Sequence, residues 1–548
     1  MRILFAVVFI ALVASGCTEP TISSPDVAII PNPLKVEGGS GIFTLDENAS
    51  FGVSAELMAV TERFAYELRR STGFPLPVEE GSGSISVTLD ALLGAESYQL
   101  DVTKKDIKIV GGDEAGVFYA FQSLRQLFPA QIEAAGLVRD AVWAVPVVQI
   151  EDSPRFSYRG LHLDVGRHFF GVEFVKKYID TMSRYKFNQF HWHLTEDQGW
   201  RIEIKKYPLL TEVGAWRKET IVDKNFDPYI GDGIPHGGYY TQDEIREVVA
   251  YAAERYVNVI PEIEMPGHSS AVVAAFPEFG CTGAKVEVPT TWGIKDEILC
   301  PSEATFSFLE DVLTEVIELF PGKYIHIGAD EVPKTKWENS SLAQEIIRRE
   351  GLDGEHELQS WFIRRIETFL NANNKSLIGW DEILEGGLAP NATVMSWRGV
   401  VGGIEAAKQG HDVIMTPTKY AYFDFYQADP ATEPLAMNWA GFTIPLDTVY
   451  TFEPVPSELS SEEAKHILGA QANVWTEYIS TPEYVEYMVY PRALALAEVV
   501  WSSKDRKDID AFYRRLTANL SHLEMLGVNY RIPDPHEEET SEDLASAQ

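Results

Sequence analysis

At 548 residues the chain is too long for one small core, and 45% apolar residues with 12 Trp describe a globular protein with a large interior. Its 82 acidic residues against 46 basic ones give a formal charge of −36, which makes nucleic acid and anionic membrane surfaces poor partners and leaves neutral or cationic ligands.

Residues 1–17 read as an export signal. Arg2 precedes an apolar run from Ile3 to Val13 that is too short for a permanent membrane span, and Ala14-Ser15-Gly16 lead to Cys17. Small residues before a cysteine are similar to a bacterial lipoprotein signal, in which Cys17 is lipidated and becomes the new N-terminus. Thr18 behind it resembles outer-membrane sorting. The expected location is therefore the periplasm or outer membrane of a Gram-negative bacterium, with membrane contact only through the lipid. In an exported protein, Cys281 and Cys300 form a pair that a disulfide would join across a short loop.

Residues 26–150 carry short β-type runs at 42–45, 86–89, 97–102 and 106–110, followed by Gly111-Gly112 and an apolar helix over 115–128. This predicts a small α/β domain, and its lack of a reactive constellation gives it a supporting role. From 151 to 505 strand-like runs alternate with amphipathic helices. Strands are predicted at 160–165, 189–194, 258–265, 324–327, 376–380, 393–397, 412–416 and 468–475. Helices are predicted at 172–186, 241–255, 303–320, 355–373, 402–409 and 482–501, with a Thr241/Glu244 capping box opening the second. Eight β/α units predict a parallel (β/α)8 TIM barrel. Residues 506–548 give a C-terminal helix and an acidic tail, expected to be disordered from Pro533.

Polar residues cluster where such a barrel holds its chemistry, at the C-terminal ends of strands. The fourth strand runs into Gly328-Ala329-Asp330-Glu331, two small residues and then two adjacent acids, an arrangement that calls for differential protonation. Other ends carry Asp164, Arg167 and His168; His191, His193, Glu196 and Asp197; Glu262, Glu264 and His268; Trp380, Asp381 and Glu382; Trp397 and Arg398; Tyr422 and Asp424; Trp475 and Glu477. Acids with aromatics, and no serine or cysteine nucleophile, point to carbohydrate, whose C–H faces stack on indole and whose hydroxyls donate to carboxylates. A metal-dependent barrel hydrolase is the main alternative, because His191 and His193 share one face of a strand. It needs further ligands. His268 is a candidate and His326 lies inside its strand, but no set of three or four assembles along the sequence, and no metal or cofactor is expected. A non-catalytic surface glycan-binding lipoprotein would keep the tryptophans and lose the acid pair, and here both acids are present.

His326–Glu331, Phe190–Arg201, Pro261–His268 (Pro-Glu-Ile-Glu-Met-Pro-Gly-His), Gly379–Glu382 (Gly-Trp-Asp-Glu) and Asn473–Glu477 (Asn-Val-Trp-Thr-Glu) together resemble the glycoside hydrolase family 20 β-N-acetylhexosaminidases. The likeness covers about 153–502, and the preceding domain is similar to that family's N-terminal domain. Glu196 departs from the pattern, since relatives often carry Asp. The resemblance implies exo-acting hydrolysis of terminal N-acetylhexosamine from oligosaccharides or glycoconjugates. The family is an exception to the two-carboxylate scheme, with the substrate's own 2-acetamido oxygen attacking to form an oxazolinium intermediate and the anomeric configuration retained. It further implies Glu331 as general acid and base with a raised pKa, and Asp330 as the ionised carboxylate that orients the acetamido N–H. Tyr422 would donate to the acetamido oxygen, and Trp380, Trp397 and Trp475 would enclose the group. Arg159, Asp424 and Glu477 would bind hydroxyls, and His268 would hydrogen-bond Glu331 with Glu196 or Glu264 behind it.

Overall fold

The computed structural model describes residues 27–535. Cys17, the signal segment before it and most of the acidic tail lie outside the described residues. No described helix is long and apolar enough to cross a membrane.

The first domain is a seven-stranded mixed sheet, Lys35–Thr44 to Ala144–Asp152, packed against two helices, Met58–Thr72 and Glu114–Leu127. The first of these helices had no counterpart in the sequence reading. It buries Val60, Phe64, Ala65 and Leu68 on one face, and Phe64 stacks on Phe121 of the second helix with centroids 4.3 Å apart.

The second domain is the predicted barrel. Its strands in chain order are Tyr158–Asp164, Gln189–His193, Asn258–Glu262, Tyr324–His326, Ser376–Trp380, Thr393–Ser396, Val413–Met415 and Ile467–Ala472, each hydrogen-bonded in parallel to its neighbours until the last closes on the first. The Thr241/Glu244 capping box forms as predicted. Helix Glu303–Leu319 is capped by Ser302 and buries Phe306, Leu309, Val312, Leu313 and Val316 against the strands. Parallel strands buried on both faces carry continuous apolar runs, whereas the helices between them show a single apolar stripe. The helix predicted over 482–501 is two helices, Pro482–Val489 and Arg492–Trp501. Pro491 has no N–H to donate and its ring blocks the preceding turn, so the chain turns there.

Arg159, assigned to sugar binding by resemblance, is the second residue of the first strand and sits at the barrel end opposite the acids. Its guanidinium pairs with Glu96 of the first domain at 3.0 and 2.9 Å, and its remaining N–H groups reach Tyr119 Oη, Phe156 O and Lys186 O. With no exposure and no free donor it holds the domains together and cannot meet a ligand. Asp152 completes this knot, accepting Lys186 Nζ at 2.9 Å, Tyr98 Oη at 2.7 Å and Trp501 Nε1 at 3.0 Å. The disulfide expected between Cys281 and Cys300 is not formed. Both are free thiols, and Cys300 Sγ lies 3.7 Å from Ser340 Oγ.

Arg159→Met keeps the stem and deletes the charge, leaving Glu96 facing an apolar chain. Breaking such a pair should lower unfolding free energy by about 3 kcal/mol, the smaller end of the range for buried pairs because Glu96 keeps some access to water. Urea denaturation reads this directly, and an unchanged midpoint would remove Arg159 from the domain junction.

Candidate active site

The carboxylate pair is presented by an unusual backbone. After strand Tyr324–His326 the chain passes through Gly328 at φ 66°, Ala329 at 69° and Glu331 at 47°, a nearly continuous left-handed stretch that costs strain for the two non-glycine residues. Opposite, His268 also lies at φ 44°. Gly328 has no substitute, because a Cβ there would fall 1.8 Å from Glu264 Oε2. Strained residues persist only where their surroundings over-determine them, and both partners of the central contact are held this way.

Of the residues singled out from the sequence, Glu331, Asp330, His268, Glu196, Tyr422, Asp424, Trp397, Trp475 and Glu477 line one cavity of about 250 Å³ at the C-terminal barrel face. His268 Nε2 lies 3.5 Å from Glu331 Oε2 and 3.7 Å from Asp330 Oδ2, and its Nδ1 lies 2.8 Å from Glu196 Oε1 and 3.1 Å from Asp197 Oδ2. Glu196 Oε2 meets Arg167 Nη2 at 3.1 Å and His193 Nε2 at 3.2 Å. The longer acid at 196 thus reaches three cations from one position.

Trp380 is fully buried and stands behind the cavity, tilted against Trp475 with centroids 5.7 Å apart, its Nε1 donating to Glu262 Oε1 at 2.8 Å. Trp397 faces Tyr422 with centroids 6.0 Å apart and near-parallel planes, and donates to Glu382 at 2.9 Å. Glu264, expected behind His268, lies below Asp330 with neither carboxyl oxygen hydrogen-bonded.

Three groups that line the pocket, Arg167, Met437 and Trp439, and Asp197 behind them were not chosen as site residues from the sequence. Arg167 takes the place assigned to Arg159: it follows the first strand's C-terminal end, packs on Trp475 at 5.1 Å and pairs with Glu196. Asp197 shares the His268 Nδ1 proton with Glu196 and anchors Ser270. Both stood among the strand-end polar residues, so position was the available signal. Met437 and Trp439 come from the long segment after the seventh strand, where no periodicity marks a role.

Burial pushes the Asp330 carboxyl up to about 7, with His268 opposing and Glu331 and Glu262 adding to the rise. The ionised Asp330 expected from the sequence is therefore reached as pH rises past that value. Burial works against a charged His268, but Glu196 and Asp330 outweigh it and hold the imidazole well above its ordinary value. Burial, then the charge of Asp424, keeps Tyr422 a phenol and hence a donor. Burial also raises Asp424 and Glu477, which Arg167 opposes.

The ligand set missing from the sequence reading does assemble, but beneath the pocket. His162, His191, His193 and His326 surround Glu262 inside the barrel, all fully buried. The surrounding hydrogen bonds fit a proton network better than a cation. His162 Nδ1 accepts the Val474 N–H at 3.1 Å and His191 Nδ1 faces the Gln471 amide at 3.0 Å, so the second nitrogens that would donate to acceptors behind a metal are acceptors themselves. His193, raised to about 10 by Glu262 and Glu196 against the penalty of burial, supplies the positive charge.

The family models for the glycosyl hydrolase family 20 catalytic domain and its domain 2 match residues 156–504 and 26–153. A β-hexosaminidase of Porphyromonas gingivalis is 46% identical over 527 residues, covering 94% of this chain and 66% of that protein. The exo β-N-acetylglucosaminidase of Vibrio harveyi, solved with N-acetylglucosamine, superposes with TM-score 0.84 at 35% identity, over 94% of this chain and 80% of that one. The β-N-acetylhexosaminidase of Streptomyces coelicolor gives 0.82 at 32%, over 94% and 99%. With both family models matched across the barrel and the domain before it, and the relatives' fold shared over nearly the whole chain, the protein is a glycoside hydrolase and the chain belongs to glycosyl hydrolase family 20.

Proposed function

We propose that this chain is an exo-acting β-N-acetylhexosaminidase that removes terminal N-acetylhexosamine with retention, using the substrate's 2-acetamido oxygen as nucleophile. The observation that carries the reading is that Asp330 and Glu331 share one imidazole, at 3.7 and 3.5 Å. Two carboxylates bound to the same nitrogen approach a sugar from one side, whereas an acid and an enzymic nucleophile must flank the scissile bond. One of the pair is then free to act as acid and the other to hold the acetamido group.

Glu331, the more exposed member, protonates the leaving oxygen and later takes a proton from water. His268, kept cationic by Glu196, favours the carboxylate that forms on Glu331 as the proton leaves. Asp330 accepts the acetamido N–H, which sharpens the carbonyl oxygen as nucleophile and spreads the oxazolinium charge. Tyr422 donates to that oxygen, and Trp397, Trp475 and, behind them, Trp380 exclude water. Arg167, Asp424 and Glu477 supply the polar end for ring hydroxyls. The same proposal takes the Vibrio harveyi neighbour, named an exo β-N-acetylglucosaminidase and solved with N-acetylglucosamine, as a guide to the substrate, and places the enzyme in a Gram-negative envelope on a lipid carried by Cys17.

Glu331→Gln should lower kcat by about 10²- to 10⁴-fold on substrates with poor leaving groups while sparing activated aryl glycosides, as loss of a general acid requires. Equal losses on both would assign Glu331 to folding or binding instead. Asp330→Asn should cost about 10²- to 10³-fold on 2-acetamido substrates, and trapping of a covalent glycosyl-enzyme in this or the parent protein would disprove the assisted route.

Because Asp330 must be ionised to accept the N–H and its pKa is pushed up to about 7, kcat/KM should fall as pH drops through that value and flatten above it. A pH profile level down to acid, or one whose acid limb survives in Asp330→Asn, would show that another group sets it. Cys17→Ala should abolish incorporation of a labelled fatty acid into the expressed protein, and label retained in that variant would refute the anchor.

A further inference from the structure

Glu264 is only 2% exposed, yet neither of its carboxyl oxygens has a hydrogen-bond partner, and the buried Asp330 Oδ1 has none either. The space it fills exists because residue 328 is glycine, and two residues later the same loop delivers Asp330. The charged groups facing Glu264 are Glu262 from the third strand, His193 from the second, Glu196 from the loop after it, His268 from its own loop and Asp330 from the loop after the fourth. His268 and His193 are the cations of that set, and their nitrogens are already taken, those of His268 by Glu196, Asp197, Asp330 and Glu331 and those of His193 by Glu262 and Glu196. A carboxylate buried among three others without a donor is not sustained as an anion, and the one donor that can serve these oxygens is a proton on one of them.

We infer that Glu264 is a neutral carboxylic acid whose O–H donates to Asp330, keeping Asp330 ionised and aimed at the acetamido N–H. It is a positioning residue, and the inference rests on the reading of Asp330 given above. The proton belongs on Glu264 because Asp330 is the more exposed of the two and has His268 beside it, whereas neither Glu264 oxygen is hydrogen-bonded to a cation and the nearby His193 is committed to Glu262 and Glu196. Burial and the charge of Asp330 push the Glu264 carboxyl in that direction. The glycine at 328 is then explained as well: any side chain there would displace the acid that steadies Asp330.

The test compares Glu264→Gln and Glu264→Leu with the parent enzyme and with Asp330→Asn, using an aryl 2-acetamido glycoside across pH. Gln keeps an N–H donor and cannot titrate, so kcat/KM should stay within about fivefold with its acid limb in place, while Leu should lose about 10- to 100-fold, the range for a hydrogen bond to a charged group. The Leu variant should also move the acid limb upward, since Asp330 loses the donor that favours its ionised form. If Glu264 were an anion, Gln would remove a neighbouring negative charge and move the acid limb down by about one unit, which overturns the inference. Leu behaving as the parent overturns it too. If Leu does not fold, the acid limb of Gln decides alone. Asp330→Asn turning over normally would sink the reading of Asp330 itself. The protonation of Glu264 is then scored by infrared spectroscopy near neutral pH, where a carboxylic-acid C=O band should be lost in Glu264→Gln, and a band untouched by that substitution refutes the proposal.

Discussion

The pocket is organised around the carboxylate of Glu196. One oxygen receives the His268 imidazole and the Asp197 backbone N–H, and the other receives Arg167 and His193. Burial alone would raise such an acid, but Arg167 and His268 hold it well below the usual carboxylate range. Glu196 is therefore a fixed negative charge at the junction of three loops, and each of its cations has a second duty. His268 faces the acid pair, Arg167 packs on Trp475 at the hydroxyl end, and His193 leads down to Glu262 and the indole of Trp380. Acid, sugar clamp and acetamido wall are thereby set at fixed distances from one anion.

The two ends of the barrel divide the work. At the N-terminal end, Arg159, Lys186 and Asp152 are buried ion pairs with every donor committed, and they join the first domain to the barrel. At the C-terminal end the charged groups are less satisfied: Asp424 and Glu477 each keep a buried oxygen without a partner. Buried polar groups are normally paired, so an excess of unpaired acceptors on one face identifies where hydroxyl and amide donors are meant to arrive.

Most of this was legible in the sequence because barrel chemistry follows strand ends, and strand ends follow from alternation of apolar runs and amphipathic helices. Asp330 with Glu331, Tyr422 with Asp424 and Trp475 with Glu477 could be placed on that basis. Arg159 and Arg167 could not be told apart by type, only by which end of the strand each occupies, and one residue at the start of Tyr158–Asp164 is on the wrong side of the molecule. Met437 and Trp439 were illegible for a different reason, since their segment has no periodicity and is positioned by tertiary contacts such as Lys224 Nζ to Ala436 O. The histidine cluster was missed because His162 points into the barrel from mid-strand, where alternation reads as core.

The acids that face substrate also set how the fold responds to pH. A carboxyl whose folded pKa lies above its unfolded one is neutral in both states at low pH, and it withdraws stability as pH rises from the unfolded value through the folded one. For Asp330 that window runs from 3.8 to about 7, and burial places Glu264, Glu382 and Asp424 on the same side. Glu196 and Glu262 act in the opposite sense: held low by their cations against burial, they contribute stability above the unfolded carboxylate pKa and lose it as pH falls. The layer therefore pairs acids weakened by burial with anions strengthened by Arg167 and histidine. Asp330 becomes able to accept the acetamido N–H over the same interval in which its charge begins to strain the fold, a cost that burial, Glu331, Glu262 and Glu196 impose and the His268 cation opposes.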